Sequence, residues 1–282
     1  MRIIRTISSL QHLIKMIKTK KQSVGFVPTM GALHKGHLSL IRKSRRENTI
    51  TVLSIFINPK QFGKGEDFSS YPRQEKNDIL LAKKEMVDII FYPSEEMMYP
   101  ISFLTTVQVH KLSDHLCGIS RPGHFSGVTT IVAKLLNIVQ PDILYLGQKD
   151  AQQAVIIKQM ICDLNFPVSV RIGSIIREAD GLAVSSRNSK LTQQQRREAV
   201  ILYQSLKEAK KAISNGEQST AKILKMIQNK VNKAGSSRVE YVSCVHADSL
   251  LPLKRIQGKG MLLLAVSFGK VRLIDNMLFN AK

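Results

Sequence analysis

Residues 28–37 read Pro28-Thr29-Met30-Gly31-Ala32-Leu33-His34-Lys35-Gly36-His37 and lie between an apolar run, Val24–Val27, and a helix-like stretch at residues 38–47. An apolar strand that passes directly into a helix is typical of a parallel α/β sheet. His34 and His37 stand three residues apart at the helix start, where unpaired backbone N–H groups and the positive end of the helix dipole favour an anion. The segment therefore predicts a phosphate site.

Two glycines strengthen this interpretation, because Gly31 and Gly36 lack a Cβ where a nucleotide would approach the backbone. A pair of solvated surface histidines is the alternative, since an HxGH pattern is short enough to arise by chance. The strand-turn-helix setting favours the phosphate site.

The same alternation continues through the first part of the chain. Apolar, β-branched runs indicate strands at Val24–Val27, Ile50–Ile57, Asp88–Tyr92, Asp142–Leu146 and Val168–Ile176. Helix-like stretches alternate with them at residues 38–47, 74–86, 127–139 and 151–164. The alternation predicts a parallel sheet, in which ligands collect at the carboxyl ends of strands. We expect three segments to converge there: residues 28–37, 58–63 and 147–150.

The pattern changes after Ile176. Residues 177–188 read as a loop, two helices follow at about 192–214 and 218–234, and strand-like runs close the chain. Those runs are Val239–Val245, Met261–Phe268 and Val271–Ile274, with turns expected at Asn215-Gly216 and Gly258-Lys259-Gly260. We therefore expect two domains, an α/β domain at residues 1–175 and a smaller α+β domain at residues 176–282.

The net charge of +21 raises the hypothesis of a nucleic-acid-binding protein. The excess of Lys and Arg is spread over both parts of the chain, and no zinc-finger spacing, helix-turn-helix signature or aromatic RNA-binding run accompanies it. A lysine-rich solvated surface, serving anionic substrates in part, explains the charge better. No apolar run reaches the roughly 20 residues of a membrane-spanning helix, so neither nucleic acid nor membrane is an expected partner.

The N-terminal residues and the cysteines bear on the compartment. Apolar residues recur at helical spacing from Ile3 through Lys18, which indicates an amphipathic helix packed on the domain; a transit peptide is the alternative. Cys117, Cys162 and Cys244 are odd in number and far apart, which argues against a disulfide framework or a CxxC pair. We expect a protein of the reducing cytoplasm.

Further segments carry chemistry-bearing side chains. Lys149 follows a buried-type strand and could donate to nucleotide phosphates; a plain helix-capping turn formed by Asp150 is the alternative. The loop Val184-Ser185-Ser186-Arg187-Asn188 offers hydroxyls, backbone donors and a guanidinium, the equipment of a flexible triphosphate clamp, or it is a polar linker. A serine nucleophile is disfavoured because the G-x-S-x-G elbow is missing. Gln61 could make a bidentate amide contact with a hydroxyl-bearing carboxylate, and Arg121 lies in a Gly/Pro-punctuated loop.

Taken together, these segments resemble the pantothenate synthetase (pantoate:beta-alanine ligase) family over nearly the whole chain and in the family's order. The resemblance rests on residues 27–34 with Gly36-His37, Phe56–Pro59 with Gln61–Gly63, Asp67 with Tyr71–Arg73, Arg121-Pro122 with His124-Phe125, Gly147 with Lys149-Asp150 and Gln152-Gln153, Arg177 with Asp180–Ala183 and Ser185–Asn188, and Leu273–Asn276. Gln148 departs from the pattern, because the family usually has Glu there.

The resemblance implies a Rossmann-like nucleotidyltransferase domain followed by the smaller α+β domain, which carries the Ser-Ser-Arg ATP loop. It also implies a cytoplasmic homodimer that uses ATP and Mg²⁺ to join pantoate to β-alanine through a pantoyl adenylate, releasing AMP and pyrophosphate. Another HxGH nucleotidyltransferase acting on a phosphorylated acceptor is the alternative enzyme, and a basic nucleic-acid-binding protein is the alternative without catalysis.

The resemblance assigns residues as well. The catalytic set is His37, His34 and Lys149. The ATP-binding set is Met30, Gly31, His34, Gly36, His37, Gly147, Lys149, Asp150, Ile176, Val184, Ser185, Ser186 and Arg187. The set for pantoate and β-alanine is Asn58, Gln61, Arg121 and Gln153. Asp78 is the expected Mg²⁺ ligand, although substrate phosphates could hold most of the metal.

Overall fold

A computed structural model describes residues 1–63 and 65–281. The chain divides into two compact units, one formed by Met1–Gly147 with Ile156–Ser174 and the other by Gln148–Val155 with Ile175–Lys282. The second unit thus includes a short segment, Gln148–Val155, from the predicted first domain. The domain division at residue 175 stays a prediction.

Six parallel strands form the sheet of the first unit. They are β1 (Arg2–Ile4), β2 (Val24–Thr29), β3 (Ile50–Ile55), β4 (Ile89–Phe91), β5 (Ile143–Gly147) and β6 (Ser169–Gly173). Their spatial order is β1-β4-β3-β2-β5-β6. The predicted parallel α/β class is confirmed. Because the order reverses between β2 and β5, the carboxyl ends of these two strands form the switch point where open α/β sheets bind ligands.

The apolar character of the strands explains the sheet. Parallel strands are covered on both faces and therefore read as continuous apolar runs, and Phe26, Val52, Leu53, Ile90 and Leu144 are all fully buried. The helices of the first unit are α1 (Ile7–Thr19), α2 (Lys35–Glu47), α3 (Glu75–Lys84), α4 (Glu95–Met98), α5 (Cys117–Ser120) and α6 (His124–Val139). Helix α7 (Ala151–Asp163) has its first five residues in the second unit and the rest in the first.

The N-terminal residues differ from expectation. The predicted helix begins at Ile7 rather than Ile3, because Arg2–Ile4 pair with β4 as a parallel edge strand, with Ile3 opposite Ile90. Three residues are too few for strand alternation to stand out against the helical spacing that follows. Within residues 1–63 and 65–281, no helix is long and apolar enough to cross a membrane.

The second unit contains an antiparallel sheet in the order β7-β8-β9. Its strands are β7 (Ser237–His246), β8 (Gly258–Phe268) and β9 (Val271–Ala281), and its helices are α8 (Gln193–Glu198), α9 (Ile201–Ser214) and α10 (Thr220–Val231). Apolar side chains of α9, α10 and the sheet, including Leu206, Ile227, Leu264 and Phe268, form one buried core. The predicted smaller α+β architecture is confirmed.

Three boundaries in this unit were predicted wrongly. The helix expected at residues 192–214 is two helices, and the last strand continues beyond Ile274 to Ala281. Gly258-Lys259-Gly260 begins β8 instead of forming a turn. The reason is a long-range contact: Gly260 pairs with Phe279, and a Cβ on Gly260 would fall 2.1 Å from the phenyl ring. This glycine is required by cross-strand packing.

Candidate active site

The two histidines of the HxGH segment form the start of α2. His34 is the N-cap, and its Nδ1 accepts a hydrogen bond from the backbone N–H of Gly36 at 3.2 Å. His37 Nδ1 accepts in turn from the backbone N–H of His34 at 3.4 Å. The rings stack with centroids 4.0 Å apart. Since each Nδ1 acts as an acceptor, the neutral rings carry their proton on Nε2, which is the atom that can donate to an anion.

The loop before this helix takes an unusual backbone conformation. Gly31 and Ala32 have φ values of +81° and +48°. The buried Asp78 carboxylate stabilises this conformation, because its oxygens accept from the backbone N–H groups of Ala32 at 2.9 Å and Leu33 at 2.7 Å. Burial raises the pKa of the Asp78 carboxyl, and the two N–H donors oppose that shift.

The glycines of this segment fit the protein's own packing. A Cβ on Gly31 would lie 2.8 Å from Asp78 Oδ2, and a Cβ on Gly36 would lie 3.0 Å from the His34 ring. Gly31 is therefore required by its positive φ and by this close contact, whereas a Cβ on Gly36 would need only a small shift of the His34 ring. Their assignment to ATP stays a prediction.

The assignment of Asp78 as a Mg²⁺ ligand stays a prediction. Both of its oxygens face N–H donors, and within residues 1–63 and 65–281 no group of three or more His, Cys, Asp or Glu side chains could hold a metal ion. A Mg²⁺ site that uses one carboxylate together with substrate phosphates needs no such group. What Asp78 holds is the loop that precedes His34.

A second polar cluster fixes Gln61 at the end of the short 3₁₀ turn Pro59–Gln61. Asn58 Nδ2 donates to Gln61 Oε1 at 3.0 Å, and Tyr99 Oη donates to Asn58 Oδ1 at 2.8 Å. Gln61 Nε2 then points to the Met30 sulfur at 3.0 Å. A thioether is a weak acceptor, so this amide nitrogen keeps most of its capacity to donate to a ligand. The expected meeting of residues 28–37 with 58–63 is observed.

Arg121 is held by protein groups. Its guanidinium forms a salt bridge with Glu66 and donates to Gln61 O at 3.3 Å, while Nη1 lies 2.9 Å from His124 Nε2. His124 Nδ1 donates to the same Gln61 carbonyl at 2.7 Å. Burial raises the pKa of the Glu66 carboxyl, but the hydrogen bond and charge of the Arg121 guanidinium outweigh burial and keep that pKa below its usual range. These contacts position the Gln61 backbone, and direct binding of substrate by Arg121 stays a prediction.

Helix α6 approaches this turn through Gly127. A Cβ on Gly127 would fall 2.2 Å from Lys60 O and 2.7 Å from Gln61 N. We expect Gly127→Ala to lower the free energy of unfolding by about 1–3 kcal/mol, the usual cost of overpacking, measured by urea denaturation. Gly235→Ala is the control, because a Cβ there meets no heavy atom within 4 Å. Equal stability of the two variants would contradict the close contact.

The strand ends at the switch point differ in pairing. β2 pairs with β5 through Gly25 and Phe26, and the pairing stops two residues before Pro28, which has no N–H to donate. Gly147 ends β5, and a Cβ added there meets no described heavy atom within 4 Å. Protein packing therefore does not explain this glycine, and the space beside it is open.

Lys149 lies in the 3₁₀ turn Gln148–Asp150, which belongs to the second unit. The Lys149 side chain is 21% exposed, and its Nζ lies 3.7 Å from the exposed carboxylate of Asp150. Gln153 follows on α7 and is half-buried. This ammonium, which also interacts electrostatically with the buried Asp275 carboxylate, is a partly buried cation of the kind that can bind a phosphate.

The expected ATP loop begins with a short hairpin. Arg177 and Ala183 form an antiparallel bridge, and the backbone N–H of Val184 donates to Ile176 O at 2.9 Å. Ser185 caps the 3₁₀ turn Ser186–Lys190 by accepting from the backbone N–H of Arg187 at 3.3 Å. The segment is therefore hydrogen-bonded, and its role as a flexible clamp stays a prediction.

Several residues around these sites were not assigned from the sequence. Tyr99, Glu66 and His124 hold the Gln61 turn, and Asp275 and Asn276 contact the segments around Arg177 and Lys149. The family motifs included His124 and Asp275-Asn276, but nothing local indicated their partners. The tertiary contacts alone define these roles.

A family sequence model, individual protein sequences and solved structures all relate this chain to the same family. The sequence model of the family described as Pantoate-beta-alanine ligase matches residues 2–278. The pantothenate synthetase of Thermoanaerobacter pseudethanolicus is 50% identical over 273 residues, covering 97% of this chain and 96% of that protein. The match extends over both compact units.

Two solved structures extend this finding. A pantothenate synthetase crystal structure from Thermus thermophilus has a TM-score of 0.94 at 41% identity, covering 98% of this chain and 99% of that one. A pantoate-beta-alanine ligase from Francisella tularensis, crystallised with beta-gamma ATP and beta-alanine, has a TM-score of 0.83 at 37% identity, covering 99% and 97%. The predicted resemblance is confirmed, and the chain belongs to the pantoate-beta-alanine ligase family.

Proposed function

We propose that this protein joins pantoate to β-alanine in two steps that consume ATP. A pantoate carboxylate oxygen attacks the α-phosphorus, the bond to the β-phosphate breaks, and pyrophosphate leaves. The amine of β-alanine then attacks the acyl carbon of pantoyl adenylate, the bond to AMP breaks, and the nitrogen loses a proton to give pantothenate. Family membership across residues 2–278 carries this proposal.

The first step develops negative charge on the α-phosphate and on the leaving pyrophosphate, so fixed donors supply most of the catalysis. In the first unit, the Nε2–H groups of His34 and His37 are suited to this role. The cap hydrogen bonds hold both rings in one tautomer and orientation before ATP binds. No enzyme nucleophile is required.

Other roles follow the family assignment. Lys149 with Ser185, Ser186 and Arg187 would bind the triphosphate, while Asp150 would contact the ribose. The remaining residues proposed to contact ATP are Met30, Gly31, Gly36, Gly147, Ile176 and Val184. The open space beside Gly147 supports a close approach of the nucleotide to the backbone.

Mg²⁺ enters this scheme as part of the substrate, bound to the phosphates of ATP. Asp78 is the side chain we propose beside those phosphates, because each of its oxygens accepts one backbone hydrogen bond and keeps a further lone pair. Asp78 also holds the loop before His34, and we derive no catalytic step from a protein-bound metal.

We also propose a cytoplasmic homodimer. This proposal rests on the family resemblance, which implies that state. Light scattering of the purified protein measures its mass and tests this state. A monomer at micromolar concentration would contradict it.

An assay of ATP, pantoate and β-alanine, with each omitted in turn, tests the reaction. We expect pantoate alone to trigger pyrophosphate release from ATP, with pantothenate and AMP formed after β-alanine is added. Pyrophosphate release that needs a phosphorylated acceptor instead would indicate a different nucleotidyltransferase. Steeply salt-dependent binding of nucleic acid without turnover would support the remaining alternative.

Gln61 provides a prediction about pantoate. We propose that its amide, together with Asn58, Gln153 and Arg121, binds the acid substrates. Gln61→Ala should raise the KM for pantoate roughly 10- to 100-fold, the scale of a hydrogen bond to a charged group, and change the KM for ATP little. Lys60→Ala, at the exposed neighbouring position, should change neither KM. Equal increases for both substrates in Gln61→Ala would indicate a structural role.

A further inference from the structure

Asn276 lies in the middle of β9 and is 2% exposed. Its side-chain Nδ2 donates to two main-chain carbonyls, Gln148 O at 2.9 Å and Lys149 O at 3.0 Å. Its Oδ1 accepts from the side-chain Nε2 of Gln148 at 2.9 Å. All of these groups belong to the second unit. One buried amide thus binds the main-chain carbonyl groups on both sides of the Lys149 Cα atom.

The preceding residue, Asp275, holds a different segment. Its carboxylate accepts from Arg177 Nη1 at 2.7 Å and Nη2 at 3.0 Å. Arg177 also donates to Gly181 O at 3.1 Å and packs over the Tyr203 ring at 4.2 Å. Since Arg177 begins the hairpin that leads into Val184 and Ser185, Asp275 fixes the base of that loop.

The two residues are linked to each other and to the sheet. The backbone N–H of Asn276 donates to Asp275 Oδ1 at 2.7 Å, and β8 pairs Leu264 with Asp275 and Leu263 with Asn276. Buried ionic and amide groups add little net stability compared with apolar side chains of similar size. Apolar residues would serve the sheet at least as well, so stability alone is a poor explanation for this pair.

We infer that Asp275 and Asn276 are positioning residues that hold the Lys149 turn and the Arg177–Ala183 hairpin in one fixed arrangement. The inference rests on the proposed function, in which both segments bind ATP. It assigns to mid-β9 a role in nucleotide binding, although neither side chain needs to touch the nucleotide. The two residues affect catalysis because they set the position of the Lys149 ammonium.

The test is Asn276→Ala, measured in single turnover for each half-reaction with ATP, pantoate and supplied pantoyl adenylate. We expect pyrophosphate release to slow roughly 10- to 100-fold, because displacing a catalytic group by about 1 Å costs this much. Aminolysis of pantoyl adenylate should change less than about twofold, since the phosphates have left before that step. Met277→Ala, on the same strand and packed on the core, is the control for lost stability.

A double-mutant cycle makes the test specific. If Asn276 acts through Lys149, the variant Lys149→Ala with Asn276→Ala should be no slower than Lys149→Ala alone, because coupled residues are not additive. If the slowing in the double variant equals the product of the slowing in the two single variants, the inference is overturned. It is also overturned if Asn276→Ala and Met277→Ala each slow both half-reactions to the same extent. If Asn276→Ala does not fold, Gln148→Ala removes one of the three hydrogen bonds and should slow pyrophosphate release alone. An inactive wild-type protein would reject the proposed function, whereas normal activity of every variant would reject the positioning role.

Discussion

Replacement of His37 by alanine is expected to slow adenylate formation by roughly 10²-fold or more, the scale for losing one donor that stabilises transition-state charge. The variant should fold, with a stability loss of about 0.5–2 kcal/mol because the helix cap loses its second acceptor. Single-turnover pyrophosphate release and thermal unfolding measure the two effects separately.

Ser39→Ala is the matched control for His37→Ala. Its hydroxyl donates to Gly36 O at 2.7 Å in the same first turn of α2, so the change alters this turn without touching either imidazole. We expect near-normal turnover in this variant. His34→Ala should resemble His37→Ala, because the stacked rings are proposed to bind the same phosphates. Near-normal turnover in a folded His37→Ala protein would remove His37 from the catalytic set.

Lys149→Ala is expected to separate the two half-reactions. If the ammonium neutralises charge on the ATP phosphates, its loss should slow pyrophosphate release by roughly 10²-fold and largely spare aminolysis of supplied pantoyl adenylate. The side chain is partly buried at 21% exposure, so solvent screens its charge less than that of a surface lysine. Single-turnover release of pyrophosphate and AMP distinguishes the steps.

Lys158→Ala provides the comparison, since it removes the same charge from an exposed position on α7. We expect both of its rates to stay normal. Equal loss of both half-reactions in Lys149→Ala would mean that the lysine supports the turn rather than the phosphates. Unchanged rates would make it an ordinary surface residue.

Local patterns in the sequence were sufficient for the class of fold. Continuous apolar strands alternating with amphipathic helices predicted the parallel α/β sheet, and the later change of pattern predicted the α+β unit, because periodicity reports which faces of each element are buried. The HxGH segment and the other motifs predicted the family. The assigned site residues remain predictions, to be tested by the substitutions above.

Tertiary structure decided the features that depend on distant partners. The strand order around β2, the edge strand at Arg2–Ile4, and the glycine at 260 each follow from pairings between residues far apart in the sequence. Asp78 is the clearest case among the site residues. Its metal role is implied by the family resemblance and stays a prediction, whereas its contacts with the N–H groups of Ala32 and Leu33 are known only from the fold.

The same reasoning applies to Asp275 and Asn276, which were part of a recognised motif without a role. A buried carboxylate or amide must find hydrogen-bond partners, yet a sequence states only that the group is present. The partners, Arg177 and the Gln148-Lys149 carbonyls, lie about a hundred residues or more away along the chain and adjoin β9 only after folding. Sequence by itself thus determined the elements and the family, whereas tertiary structure determined which buried polar groups meet, because hydrogen bonds are selected by distance in space.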